Sequence, residues 1–300
     1  MARKRPAVPA PLPARARLLV PVLAATGGSG RSVTAGLLAA GLSVRGRTAV
    51  LDTAPRLASP WPRWSAQAGG GLAALPPNQP ASREAALSAA AWCSGPSAAS
   101  GFHVLTDHLS WSAAPLSLPR EPAAWHQLAA LGGWQCAVVD TTYPIAHHLV
   151  ASQHRQRDPA GAAWAGVPGA VPVICAAGDG PGVDALLTAI QAADAAAWPL
   201  SRTVVVIVAI ASGRYPAPVK AAITMLKPRV GDLVMVPHDP RIRSHGLERL
   251  SGLGRRAYDT ADALARTLIN RAQDAWGTPL PDAAVPAPLD AGVPSLEGAS

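Results

Sequence analysis

The chain has 300 residues, of which 49% are hydrophobic, and its formal net charge at pH 7 is +8. That length suits one large domain or two small ones, and no apolar run reaches the roughly 18 residues of a membrane-spanning helix. The apolar run that begins at Leu18 follows a basic, proline-rich stretch with no small-residue cleavage site, so we interpret it as a first strand and not as a secretory signal.

Strand-like and helix-like segments alternate along the chain. Short apolar runs, typical of strands buried on both faces, predict strands at 18–25, 48–52, 102–106, 136–140, 171–176, 203–210 and 233–236. Helical patterns predict helices at 32–42, 82–93, 121–131, 182–195, 216–226 and 259–275, with Asp259 as the N-cap of the last one. This alternation predicts an α/β domain over residues 17–276, with a doubly wound, mostly parallel sheet and helices on both faces.

Two terminal segments and one internal segment stand apart from this pattern. Residues 1–16, which are basic and proline-rich, and the proline-rich residues 277–300 are predicted to be disordered tails. Residues 54–80 are predicted to form a long loop, in a region where α/β proteins often carry function. Trp61 and Trp64 lie in this loop, and we take them as a hypothetical protein-interaction site because exposed Trp residues favour interfaces.

The three cysteines show neither metal-ligand nor redox spacing. Cys136 and Cys175 fall in predicted strands, and Cys93 is expected to resemble them in being a buried free thiol. Free thiols persist in reducing compartments, so the protein is expected to be cytoplasmic.

The residues between the first strand and the first helix form a glycine-rich turn, "ATGGSGRS". In a P-loop, G-x-x-x-x-G-K-[ST], backbone N–H groups and the helix N-terminus surround a phosphate, the lysine adds positive charge and the hydroxyl binds Mg²⁺. Here Gly30 and Ser32 keep their places, whereas Ala25 replaces the first glycine and Arg31 replaces the lysine. The pattern favours a phosphate site with an altered cation.

Two other interpretations of this turn stay open. Gly28 and Gly30 could begin the dinucleotide fingerprint G-x-G-x-x-G, and Asp52 stands at the spacing of the ribose-binding acid, but Val33 occupies the third glycine position. The turn could also be a tight strand-to-helix connection without a ligand. An NAD(P)-dependent oxidoreductase is further disfavoured because the chain has no Tyr-x-x-x-Lys pair.

The chain from Leu18 to Ala275 resembles the ParA/MinD family of deviant-Walker P-loop ATPases in the order and spacing of its motifs. The stretch "TGGSGRSVTAGLLAAGLSVRGRTAVLDTAP" is similar to the family's K-G-G-x-G-K-[ST], helix and strand ending in D-x-D-P. "WQCAVVDTTYP" is similar to the Walker B strand, and "VVVIVAIASGR" and "LVMVPHDPRIRSHG" are similar to the last two strands.

The resemblance implies a nucleotide site that uses ATP and Mg²⁺. It implies that the phosphates contact Gly27, Gly28, Ser29, Gly30, Arg31, Ser32 and Val33, and that the base lies by Pro237 and Asp239. It further implies that Ser32 and Asp140 hold Mg²⁺, and that Asp52 and Asp140 are the catalytic, metal-side carboxylates.

Three departures from the family pattern predict weak or absent ATP hydrolysis. Thr26 stands where the family has the lysine that reaches the nucleotide of a dimer partner, Arg31 replaces the P-loop lysine, and Ala54 replaces a carboxylate that orients the attacking water. Phosphoryl transfer depends on positioning and on neutralising charge in the transition state, so each loss is expected to slow it. Backbone N–H groups and Ser32 could still bind phosphate.

The resemblance implies a positioning, partitioning or regulatory factor that forms a homodimer and binds an unknown protein partner. ParA-like proteins contact DNA without sequence preference through basic residues near the C-terminal end, and the matching residues here are Arg241, Arg243, Arg249, Arg255 and Arg256. The alternative for these arginines is a solvated helical face. Membrane attachment is not expected, because residues 277–300 do not form the basic amphipathic helix that MinD-like proteins use. The alternative function is a nucleotide-independent interaction scaffold on a degenerate P-loop fold.

Overall fold

Eight strands form one sheet in the computed structural model, which describes residues 10–65, 70–75, 79–95, 100–154, 160–248 and 253–286. In chain order the strands are β1 (Leu18–Ala24), β2 (Thr48–Asp52), β3 (Ala91–Ser94), β4 (Gly101–Leu105), β5 (Cys136–Pro144), β6 (Val173–Ala177), β7 (Val204–Val208) and β8 (Asp232–Val236). They lie side by side in the order β3-β4-β2-β5-β1-β6-β7-β8. Only β3 runs antiparallel to its neighbour, so the prediction of a mostly parallel sheet is confirmed.

Helices cover both faces of the sheet, as the sequence predicts. They are α1 (Arg31–Ser43), α2 (Trp61–Trp64), α3 (Arg83–Ala89), α4 (Pro122–Gly132), α5 (Ile145–His154), α6 (Ala160–Gly166), α7 (Gly180–Ala195), α8 (Ala217–Leu226), α9 (Pro240–His245) and α10 (Arg255–Trp276). Side chains alternate across β1, so Leu19 joins the core layer beneath α4, α7 and α8, whereas Val20 joins the layer beneath α1 and α10.

The predicted helix over 82–93 is wrong at its C-terminal end. The helix begins after Ser82, whose hydroxyl accepts a hydrogen bond from the N–H of Ala85, and it ends at Ala89. Residues 91–94 form the antiparallel edge strand β3, in which Ala91 and Cys93 are buried and Trp92 is exposed. Burial with a period of two is the pattern of a half-covered strand, and it is too short here to stand out in an alanine-rich sequence.

The last helix begins four residues earlier than predicted, at Arg255, and its N-cap is Gly254. The expected N-cap, Asp259, lies inside the helix and is exposed, and its carboxylate lies 3.8 Å from the Arg255 guanidinium. Leu264 and Leu268 are fully buried, so the predicted apolar face of this helix is confirmed.

The predicted loop over 54–80 contains short helical turns where it is described. Helix α2 lies within it, and single 3₁₀ turns span Arg56–Ala58 and Leu72–Ala74. Residues 66–69 and 76–78 of this predicted loop lie outside the described residues.

Parts of the predicted tails pack against the domain. Leu12 is buried and its N–H donates to the backbone oxygen of Arg45, and Leu280 is buried in the same core layer as α10. Residues 1–9 and 287–300 of those tails lie outside the described residues.

The three cysteines are buried and free, as predicted. Burial raises the pKa of the Cys93 thiol to about 11 and the pKa values of Cys136 and Cys175 to about 12. Within the described part of the chain, no helix combines the length and the apolar character that crossing a bilayer demands.

The glycine-rich turn follows a strand in the middle of the sheet. β1 lies between β5 and β6, and the chain leaves it through α1 toward β2 on one side, whereas β6 leads through α7 toward β7 on the other. Open α/β sheets bind ligands at such a point, above the carboxyl ends of the strands where the chain direction divides.

Helix α1 is held against α10 by a close backbone approach. A Cβ atom on Gly41 would lie 2.1 Å from the backbone oxygen of Ala261 in α10. An ion pair also joins the two helices, because the Arg45 guanidinium donates to the carboxylate of Asp262 at 2.5 Å. The same guanidinium donates to the backbone oxygen of Gly41 at 2.7 Å. The glycine is therefore required for the two helices to approach this closely.

We expect the Gly41→Ala substitution to lower the free energy of unfolding by about 1–3 kcal/mol, because the methyl group forces the helices apart. This loss outweighs the gain of about 1 kcal/mol that alanine brings to an exposed helix position. Urea denaturation measures it. The control is Gly180→Ala at the first position of α7, where a Cβ meets no atom within 4 Å. Equal stability of the two variants would contradict the helix contact described here.

Candidate functional site

The turn between β1 and α1 presents a run of backbone N–H groups without protein partners. Gly28 and Gly30 have positive φ angles of 73° and 77°, which turn successive N–H groups to one side. From Gly27 to Val33, no backbone N–H donates a hydrogen bond to a described residue. Since these groups lie at the N-terminus of a 13-residue helix, the turn has the geometry and the dipole of an anion cradle.

The glycines of this turn differ in how much free space surrounds them. A Cβ atom on Gly27 or Gly28 meets no atom within 4 Å, so the outer side is open. A Cβ atom on Gly30 would lie 3.0 Å from the Val208 side chain at the end of β7, so the inner side is packed. The side chain of Ser29 is 2% exposed, and its hydroxyl has no hydrogen-bond partner among the described residues.

The two carboxylates that the sequence singles out are neighbours in the sheet. Asp52 ends β2 and is the register partner of Asp140 in β5. Both residues are fully buried. Parallel pairing of these strands therefore places the two carboxylates side by side near the carboxyl ends of adjacent strands.

Each oxygen of Asp140 accepts a hydrogen bond from a different element. The Nε–H of Arg31 donates to Oδ1 at 2.7 Å, and the indole N–H of Trp61 donates to Oδ2 at 2.8 Å. The arginine predicted to stand in the place of a P-loop lysine therefore contacts the aspartate predicted to belong to a Walker B strand. The contact is a charge-assisted hydrogen bond between a half-buried cation and a fully buried anion.

Asp52 is enclosed by three donors. The hydroxyls of Ser59 and Thr106 each donate to Oδ2 at 2.6 Å, and the N–H of Ala54 donates to Oδ1 at 3.0 Å. Burial raises the pKa of Asp52 to about 7, the negative charge of Asp140 adds to this rise, and the three hydrogen bonds oppose it. A carboxylate with that pKa suits general base chemistry near neutral pH, but this one is sealed from solvent.

One short segment contacts both carboxylates. Ser59 donates to Asp52, its hydroxyl accepts the backbone N–H of Trp61 at 3.1 Å, and the Trp61 indole donates to Asp140. Residues 59–61 therefore cover both carboxylates.

The hypothesis of an exposed interaction site at Trp61 and Trp64 is wrong for Trp61. The side chain of Trp61 is 1% exposed. It packs edge-on against Trp64 with ring centroids 5.5 Å apart. Trp64 is half-buried and lies over Gly246, where a Cβ atom would come within 2.3 Å of its ring.

The residues present fit a phosphate group better than they fit Mg²⁺. The open cradle offers unpaired N–H donors, which is the chemistry of phosphate binding. A divalent cation prefers free oxygen ligands, but both oxygens of Asp140 already accept N–H donors, and both oxygens of Asp52 accept hydrogen bonds as well. In this conformation, Asp140 therefore offers a divalent cation no oxygen that is free of an N–H donor.

The predicted base-side residues follow β8. Pro237 lines an open cavity of about 430 Å³ near the carboxyl ends of β7 and β8. Asp239 instead caps α9, because its carboxylate accepts the backbone N–H groups of Arg241 and Ile242. Of these two, Pro237 lies on a surface with room for a ligand.

The dinucleotide interpretation does not fit the surroundings of Asp52. A ribose-binding acid must be reachable by the ribose hydroxyls, but Asp52 is fully buried and its oxygens accept protein donors.

The arginines predicted to contact DNA lie on α9 and at the start of α10. Arg241, Arg243, Arg255 and Arg256 are exposed. Arg249 lies outside the described residues.

Sequence reasoning missed the donors to the two carboxylates. Ser59 and Thr106 donate to Asp52, from which they are 7 and 54 residues away in sequence. Trp61 donates to Asp140, which is 79 residues away. Thr106 directly follows β4, so its place at the carboxyl edge of the sheet was a usable signal. The sequence carries no comparable signal for Trp61.

No family model and no curated protein matches the sequence. Solved structures share the fold, among them a chain of the MinC:MinD cell division protein complex of Aquifex aeolicus, at 12% identity and a TM-score of 0.56, covering 84% of this chain and 96% of that one. The pNOB8 ParA bound to nonspecific DNA is similar at 10% identity and a TM-score of 0.54, covering 86% and 99%. A McdA variant from Cyanothece in complex with ATP is similar at 15% identity and a TM-score of 0.51, covering 85% and 96%. The chain therefore has the fold of the ParA and MinD ATPases.

We expect the Trp61→Phe substitution to lower the free energy of unfolding by about 1–3 kcal/mol, because Oδ2 of Asp140 loses its donor and the smaller ring leaves part of the buried space unfilled. Chemical denaturation measures the change. The matched control is Trp64→Phe, since the Trp64 indole makes no hydrogen bond to a described residue and should cost less. A control variant that is equally destabilised would argue against the indole–carboxylate bond.

Proposed function

We propose that the protein is a ParA/MinD-like nucleotide-binding factor that binds the phosphates of ATP at Gly27–Ser32. It hydrolyses ATP weakly or not at all, and it acts as a positioning, partitioning or regulatory factor through protein contacts. The observation that carries the proposal is the run of unpaired backbone N–H groups from Gly27 to Val33 at the N-terminus of α1. Because these donors belong to the backbone, they bind phosphate without help from the side chains that the chain has replaced.

Weak hydrolysis follows from the contact that Arg31 makes and from the loss of charged side chains at two positions. Arg31 contacts Asp140 through its Nε, and the positions of the dimer-spanning lysine and of the water-orienting carboxylate hold Thr26 and Ala54. Phosphoryl transfer requires positive charge and an oriented nucleophile at the transferring group. The described residues around the cradle therefore favour retention of a bound nucleotide over its turnover.

The solved structures support a nucleotide-dependent binding role by analogy of fold alone. The McdA variant is complexed with ATP, and the Aquifex aeolicus MinD is complexed with MinC. An ATP-dependent homodimer and an unknown protein partner remain part of this proposal for the present chain.

The alternative proposal is an interaction scaffold that uses the fold without a nucleotide. The observation that favours it is the closure of Asp52 and Asp140 by Ser59, Trp61 and Thr106. ATP binding by the unaltered protein distinguishes the two.

We expect the Gly27→Asp substitution to weaken ATP binding at least about tenfold, because it places a negative charge beside the phosphates at a position with free space. The matched control is Gly27→Asn, which has nearly the same shape without the charge and should bind within about threefold of the unaltered protein. Fluorescent ATP titration, in excess MgCl₂ and again in excess EDTA, measures both.

Failure of the unaltered protein to bind ATP in either medium would favour the scaffold. Equal affinities of the Asp and Asn variants would place ATP somewhere other than the cradle. Thermal unfolding of both variants verifies that neither substitution disturbs the fold.

Non-specific DNA binding is a second candidate function. Arg241 and Arg243 on α9 and Arg255 and Arg256 on α10 are all exposed. Arg256 and Pro237 line the same open cavity, so the start of α10 lies near the segment that leads into α9. Several exposed guanidinium groups on adjoining segments attract the phosphate backbone of DNA.

We expect the quadruple substitution Arg241→Ala, Arg243→Ala, Arg255→Ala and Arg256→Ala to weaken binding to duplex DNA at least about tenfold and to flatten its salt dependence. Fluorescence anisotropy across a series of salt concentrations measures both effects. The control compares the double variant Arg241→Ala, Arg243→Ala with the double variant Lys220→Ala, Lys227→Ala, which removes equal charge from α8 and from the residue that follows it. Equal losses in the two pairs would indicate a general charge effect and exclude a local DNA site.

A further inference from the structure

Arg31 uses only part of its hydrogen-bonding capacity on Asp140. The Nε–H donates to Oδ1 of Asp140 at 2.7 Å, and no described residue accepts a hydrogen bond from either Nη. The arginine side chain remains 18% exposed, whereas Asp140 is fully buried. The guanidinium therefore keeps unpaired N–H donors at the edge of the cradle.

The Arg31 guanidinium lies where a metal ion held by Asp140 would lie. Asp140 lies within β5, whose neighbours in the sheet are β1, which leads into the cradle, and β2, which ends at Asp52. A cation held by Asp140 therefore lies between the acidic strand ends and the N-terminus of α1.

A divalent cation would compete with Arg31 for the same carboxylate. Oδ2 of Asp140 accepts the Trp61 indole N–H, and Oδ1 lies against a positive charge that repels Mg²⁺. Mg²⁺ also demands near-octahedral oxygen coordination, which a buried carboxylate with two N–H donors does not offer.

We propose that Arg31, anchored by Asp140, takes the place of a divalent cation, so that phosphates bind at this cradle as metal-free anions. This inference rests on the proposed nucleotide binding. The chemistry suits arginine and not lysine, because a guanidinium can donate to a carboxylate through Nε and to a phosphate through Nη at the same time. The ligand class is a phosphate or polyphosphate anion without coordinated metal.

The first test uses the unaltered protein and fluorescent ATP. We expect dissociation constants in excess MgCl₂ and in excess EDTA to agree within about threefold. Affinity that falls about tenfold or more in EDTA would overturn the inference and leave the proposed nucleotide binding standing. Absence of ATP binding in both media would overturn both.

The second test does not depend on ATP. Electron paramagnetic resonance detects Mn²⁺ binding to the protein directly, and we expect no Asp140-dependent Mn²⁺ site in the unaltered chain. The double variant Arg31→Ala, Trp61→Phe should create such a site by freeing both oxygens of Asp140, and the further substitution Asp140→Asn should abolish it.

Mn²⁺ binding by the unaltered protein that is lost in Asp140→Asn would overturn the inference. So would a folded Arg31→Ala, Trp61→Phe variant that binds no Mn²⁺, because the two N–H donors on Asp140 would then not be what excludes the metal. Circular dichroism establishes folding, and Arg31→Gln serves in place of Arg31→Ala if the alanine variant does not fold.

Discussion

The contact between Arg31 and Asp140 is the interaction on which the candidate site depends. A buried carboxylate is costly without a partner, and removing one member of a buried pair leaves an uncompensated charge. Here the pair joins the first residue of α1 to the central strand β5. It therefore fixes the cradle to the sheet and at the same time determines which charged groups face a ligand.

The backbone part of a P-loop and its side-chain part have separate physical requirements. The cradle needs glycines at positive φ and a helix N-terminus, and Gly28, Gly30 and α1 supply these. Catalysis needs free carboxylates and mobile cations, yet Asp52 and Asp140 are closed by Ser59, Trp61 and Thr106. A chain can therefore keep the architecture of anion binding after its charged groups have taken up structural contacts.

Local pattern predicted most of the sheet, because each buried parallel strand is a continuous apolar run. The edge strand β3 was missed because only four residues carry its alternation. The glycine turn is predicted from its own residues and Asp140 from the resemblance of its strand to a Walker B strand, and the pairing of Asp52 with Asp140 follows from neighbouring parallel strands. Trp61 was misjudged because its partner lies 79 residues away, and no local pattern distinguishes a buried tryptophan from an exposed one in such a segment.

The close approach of Gly41 to Ala261 has a consequence for biosynthesis. The ion pair beside it joins Arg45 to Asp262, residues 217 positions apart. Contacts of such long sequence separation form late, because the chain between them must first be brought together. During synthesis, α10 cannot cover the face of α1 that packs against it until residues 255–276 have left the ribosome, so this apolar face is without that partner for most of the synthesis.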